Sequence, residues 1–190
     1  LPDCEKAAVQ RWGAKGAFFP ETTSFDGPMV LPDDVVQEYR DIFFGRKDPK
    51  SISPRLKMIC SFESHLYCSM NAAHTKQYTW ISHVASSGSE LAVQAWWRYR
   101  YTGDTQWLPS HAYPLLRGTV EFYRHLVKKD EHGRYHLYGT HAHEDFWGVK
   151  DGIMDLAAIR GTAPLAIRAA EILGVDAELR AQWKELLDHL

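Results

Sequence analysis

The chain has 190 residues, 45% hydrophobic and 24% charged, enough for one ordinary domain with its own core. Its basic and acidic residues are mixed along the chain and leave a net charge of −2, so nothing electrostatic recommends nucleic acid or an anionic membrane as a partner. No apolar run approaches a membrane span, and Cys4, Cys60 and Cys68 form no zinc-like spacing and read as buried or incidental thiols.

Taken in order, residues 1–12 read as the end of a helix, with Ala7, Ala8 and Trp12 on its apolar face and Gly13 and Gly16 breaking it. Residues 16–28 are rich in Gly, Pro and aromatics. Pro20 and Pro28 exclude a continuing helix, so a structured loop carrying Glu21 and Asp26 is expected. A short helix follows over 33–44, with Asp33 and Asp34 suited to its dipole and Gly45 to its end. Residues 46–80 are ambiguous. Helix is one reading of 55–70, and 77–80 form a polar-aromatic link ending in Trp80.

From Gly88 the pattern is clear. Leu91, Ala92, Ala95, Trp96 and Tyr99 recur at helical spacing, and Gly103-Asp104 closes that helix. Pro109 opens the next, with Ala112, Leu115, Leu116, Val120, Phe122, Tyr123 and Leu126 as its apolar set, giving a helical hairpin. A turn with a short β hairpin is expected near 132–139. A long helix is predicted over 153–173, with Leu156, Ile159, Leu165, Ala166, Ala169, Ala170 and Ile172 turned inward and Pro164 as a kink or break. Gly174 ends it, and Asp176 is expected to cap a final amphipathic helix. The chain begins without Met or a signal peptide and stops inside a helical pattern, so both ends read as cut from something longer. The compartment stays open, and an extracytoplasmic or secreted parent fits. The expected class is all-α, helix pairs of a toroid or solenoid, although no exact repeat is visible.

Residues 141–155 crowd polar and titratable groups between the expected hairpin and the long helix, where functional loops sit on rigid supports. Glu144 has Asp145 beside it and Phe146 and Trp147 after it. Like charge and burial are the two influences that keep a carboxyl protonated near neutral pH, as a glycosidase's general acid requires. A capping or salt-bridged role is the bland alternative for Glu144, and capping is favoured for Asp155 at the long helix's start. His141, His143 and Glu144 also make a His-x-His-Glu run of the kind that binds zinc or iron, but His residues two apart converge on one ion only in an extended strand. A third reading is a non-catalytic helical domain that binds glycans or proteins. Aromatic content of 13% suits sugar-stacking platforms and an aromatic core alike.

Three stretches resemble the (α/α)6 catalytic toroid of glycoside hydrolase family 95, the α-L-fucosidase and α-L-galactosidase group. They are residues 89–104 (SELAVQAWWRYRYTGD), 112–123 (AYPLLRGTVEFY), and 154–160 (MDLAAIR) followed by 169–180 (AAEILGVDAELR). Their order and spacing cover roughly 80–190. The resemblance implies that residues 1–190 are a piece of one such toroid in a parent that hydrolyses an α-linked hexose or deoxyhexose of an oligosaccharide or polysaccharide by inversion. It places the general acid at Glu144, where the family's Pro-Glu pair is His143-Glu144, a departure that bears on substrate. From the loop residues themselves, His141 and His143 are expected to hydrogen-bond substrate hydroxyls or tune the carboxylate, and His141, His143 and Trp147 are read as substrate contacts, with Trp80 and Glu21 behind them. The family's water-activating asparagines and aspartate have no counterpart here, since Asn71 sits outside the matching motif; the fragment alone is expected to be inactive. No metal or cofactor is implied. A toroid phosphorylase would need a basic phosphate site, which the chain does not show.

Overall fold

The computed structural model describes residues 1–20, 32–43, 45–60, 84–142 and 146–190. They are mostly helical, with two small antiparallel strand pairs, the architecture of part of an (α/α)6 toroid. Helix α1 (Pro2–Ala7) runs into a π-helical turn, Ala8–Trp12, and Gly13 ends it in the left-handed conformation. Helix α2 (Asp33–Phe43) and the short α3 (Pro54–Cys60) follow. Among the described residues no helix is long and apolar enough to cross a membrane.

The second half carries the framework. Helix α4 spans Ser87–Thr102 and ends at Gly103, also left-handed. A π-helical turn, Leu108–Ala112, leads into α5 (Tyr113–Leu126), with Pro114 in its first turn, where a missing N–H costs nothing. Helix α6 is Ile153–Leu173 and α7 is Ala177–Asp188. Helix α5 packs on α4 and α6, α6 on α4 and α7. Short connections join α4 to α5 and α6 to α7 as helix pairs, the unit of which toroids are built, while both hairpins lie between α5 and α6.

The core forms two clusters that meet on α5. Ala7, Ala8, Trp12, Phe18, Tyr39 and Leu56 join Phe122 and Tyr123 on one side. Trp96, Leu108, Leu116, Val120, Ala166 and Trp183 fill the other. The N-terminal arm reaches α5 because two glycines let the backbones touch. Ala17 donates to the Gly118 carbonyl at 2.8 Å. A Cβ on Gly16, whose φ is +91°, would stand 2.1 Å from the Phe122 nitrogen.

Several expectations change. Leu91 and Ile172 lie on outward faces, 45% and 44% exposed. Helix α6 continues through Pro164 without a break. Asp176 occupies the N-cap position of α7, but its side chain caps nothing: its carboxylate takes the Tyr113 hydroxyl and, at 3.1 Å, Arg117 Nε. Two partners on α5 outcompete the helix's own amides. Cys4 is a buried free thiol, and burial pushes its pKa up. Glu21, Asp26, Cys68, Asn71 and the link to Trp80 lie outside the described residues.

Candidate active site

The stretch expected to be a loop is largely strand. Strand β1 (Lys128–Lys129) pairs with β2 (Tyr135–His136), the hairpin anticipated near 132–139. A second hairpin follows, β3 (Tyr138–Ala142) against β4 (Phe146–Lys150). Its register runs Tyr138 to Lys150, Thr140 to Val149 and Ala142 to Phe146, with a shift at each step. The two shifts fall at Gly139 (φ +77°) and Gly148 (φ +60°), left-handed positions that suit glycine at a bulge. Bulges re-aim the residues beyond them and break the alternation by which strands are read from sequence. Thr140 and His141, neighbours in the chain, are accordingly both buried.

The base of this hairpin is stapled to the first. Asp151, itself at φ +54°, accepts the Leu137 N–H on Oδ1 at 2.9 Å and returns its own N–H to the Leu137 carbonyl at 2.8 Å. Its Oδ2 lies 2.7 Å from His136 Nδ1, and His136 Nε2 lies 3.3 Å from Asp130 Oδ2. The Arg134 backbone N–H, with help from His136 and the His132 N–H, holds the Asp130 carboxyl below its usual range.

Beneath β3 the chain buries a second acidic group. Asp155, in the first turn of α6, is 1% exposed, and the Tyr123 hydroxyl donates to its Oδ1 at 2.8 Å. Burial pushes the Asp155 carboxyl up, only partly offset by the Thr140 and Tyr123 hydroxyls beside it. Burial and the Asp155 charge push the Tyr123 hydroxyl well up in turn, slightly offset by Ser89 of α4. The expected capping role of Asp155 is therefore corrected. Gly152 is the N-cap of α6 and no side chain caps it, because the Asp155 carboxyl turns toward α5 and β3. Ser89 also lines a groove of about 440 Å³ between α4 and α6, with Ser86, Gln94, Trp97, Met154 and Thr162.

Residues 58–190, more than half of the chain, match the profile of the glycosyl hydrolase family 95 catalytic domain. The chain belongs to glycosyl hydrolase family 95. Among curated proteins this family 95 chain is 32% identical over 105 residues to a kojibiose hydrolase of Flavobacterium johnsoniae, covering 53% of the chain and 15% of that relative. It is 29% identical over 90 residues to a kojibiose hydrolase of Mucilaginibacter mallensis, covering 46% of the chain and 13% of that relative. The matched region thus spans a small part of either relative's length.

Of the expected acid and substrate contacts, the structure describes His141, buried in β3, and the backbone of Trp147 in β4. Glu144, His143, Trp80 and Glu21 lie outside the described residues. Ala142 and Phe146, which flank 143–145 in the chain, are paired across the hairpin. Among the described residues no three His, Cys, Asp or Glu gather as metal ligands; two members of the His-x-His-Glu run fall in 143–145. Tyr123, Thr140, His136 and Asp130 escape sequence reading. Tyr123 stands at an apolar helical position and reads as core, and the other three have no motif to mark them.

Proposed function

We propose that the protein carrying this chain is a glycoside hydrolase that releases an α-linked hexose or deoxyhexose from an oligosaccharide or polysaccharide, with inversion. The chain supplies one part of its (α/α)6 domain. The observation that carries this reading is the family 95 match over 58–190, which takes in α4, α5, both hairpins and α6. The names of the two relatives, both hydrolases of kojibiose, support hydrolysis and widen the range of sugars to be tried.

In this scheme Glu144 is the general acid. Its carboxyl gives a proton to the glycosidic oxygen as the C–O bond breaks, and a water on the opposite face of the ring attacks the anomeric carbon. The groups that activate that water belong to other parts of the domain. His141, His143 and Trp147 contact the sugar, with Trp80 and Glu21 further out. The hairpin supports the role: two bulged strands on buried anchors carry the chain into 143–145 and out again, a rigid mount for an acid.

The test is sugar release by the complete protein, wild type beside Glu144→Gln, on aryl α-L-fucosides, aryl α-L-galactosides, kojibiose and natural oligosaccharides. Glu144→Gln should lose about 10²-fold or more on substrates with poor leaving groups, which depend on protonation. Equal turnover by both proteins would move the acid elsewhere. Binding without turnover by the wild type would instead favour a glycan-binding domain.

A further inference from the structure

The polar group buried at the foot of the second hairpin has no part in the acid and water chemistry above, yet four elements meet there. Asp155 enters from α6, Tyr123 from α5, Thr140 from β3 and Ser89 from α4. Asp155, Tyr123 and Thr140 are each no more than 1% exposed. A carboxyl sealed from water costs folding energy that an apolar side chain of similar size would not. What the carboxyl adds is direction. Its Oδ1 fixes the Tyr123 hydroxyl at 2.8 Å, and the same carboxyl lies beside Thr140, the β3 residue between the hairpin's two register shifts. From Thr140 the strand runs only to Ala142 before it reaches 143–145.

We propose that Asp155 is a positioning residue: by tying the Tyr123 hydroxyl of α5 to the first turn of α6, the helix on which β3 packs, it sets the approach of the chain that carries the acid. The inference rests on the glycosidase reading. It assigns Asp155 no contact with substrate. A tether of this kind acts on geometry, and small misplacement of a reacting group is costly to rate. Its loss therefore weighs on proton delivery more than on sugar binding.

The experiment uses the complete protein as wild type, Asp155→Leu, Tyr123→Phe and Asp155→Asn, measuring kcat and KM on aryl glycosides of graded leaving-group ability, with thermal unfolding of each. Asp155→Leu should lose about 10²-fold in kcat on poor leaving groups but about 10-fold or less on good ones, with KM little changed. Tyr123→Phe should show the same slope at smaller size. Asp155→Asn should recover most of the loss, because its amide oxygen still accepts the Tyr123 hydroxyl. If Asp155→Leu does not fold, the Phe and Asn variants carry the test. A loss equal across leaving groups, or no recovery with Asn, overturns the proposal. If Glu144→Gln shows the expected leaving-group dependence while these variants do not, only the positioning role falls. A wild type that turns over nothing removes the glycosidase reading and this proposal with it.

Discussion

Replacing Trp183 by Phe tests how the second core cluster is held together. Trp183 is fully buried in α7, and its indole Nε1 donates to Glu121 Oε1 at 2.8 Å. The same carboxylate takes Nε and Nη2 of Arg124, each at 2.8 Å. Burial alone would push the Glu121 carboxyl up, but Arg124 and Trp183 outweigh it and hold it below its usual range. Phe keeps a ring in the cluster, loses a hydrogen bond to a charged acceptor worth about 1.5–3 kcal/mol, and leaves a void worth about 1 kcal/mol. The expected cost is about 3 kcal/mol at neutral pH. Because the folded pKa of Glu121 lies below its unfolded value near 4.3, its stabilisation is present above that value and is lost as pH falls through the folded one. The cost of Trp183→Phe should therefore shrink in acid. Urea unfolding of both proteins at neutral pH and at a pH near or below the folded value gives the two differences. A neutral-pH cost under about 1 kcal/mol, or one that does not change with pH, would refute the reasoning.

Gly16→Ala should destabilise by about 3 kcal/mol or more, since the left-handed φ costs about 1–2 and backbone atoms of α5 cannot yield to the new Cβ; a melting temperature within a degree of wild type would contradict it. Asp155 has a folded pKa above its unfolded one, so wild type should lose stability as pH rises from about 3.9 toward the folded value. Asp155→Asn should lack that decline, and parallel stability curves would count against a buried, ionising Asp155. Asp151→Ala frees the Leu137 N–H and His136 at the hairpin base, for a loss of about 1–2 kcal/mol. The Leu137 amide should then exchange faster, and unchanged protection would show that the staple holds nothing.

The helices could be read from the sequence because their signals are local. Gly103 and Gly174 stand just past the helices they end, both left-handed, and Pro109 and Pro114 fall where helices begin. The inward positions Ala92, Trp96, Leu116, Val120, Ile159 and Ala166 follow from a period of 3.6 and are buried. Family membership was equally legible, in phrases spread along those same helices. The hairpin around the proposed acid was not, because bulges at Gly139 and Gly148 erase the alternation that marks a strand. Nor were the fates of Asp155 and Asp176. Both sit at helix starts, where an acidic residue is a natural cap, and both give their carboxylates to α5, far away in the chain. Sequence settles where a carboxylate sits on its own helix. Which hydroxyl or guanidinium it meets depends on how helices pack, and only the tertiary structure brings Tyr123 and Thr140 to Asp155 and so builds the foot of the candidate site.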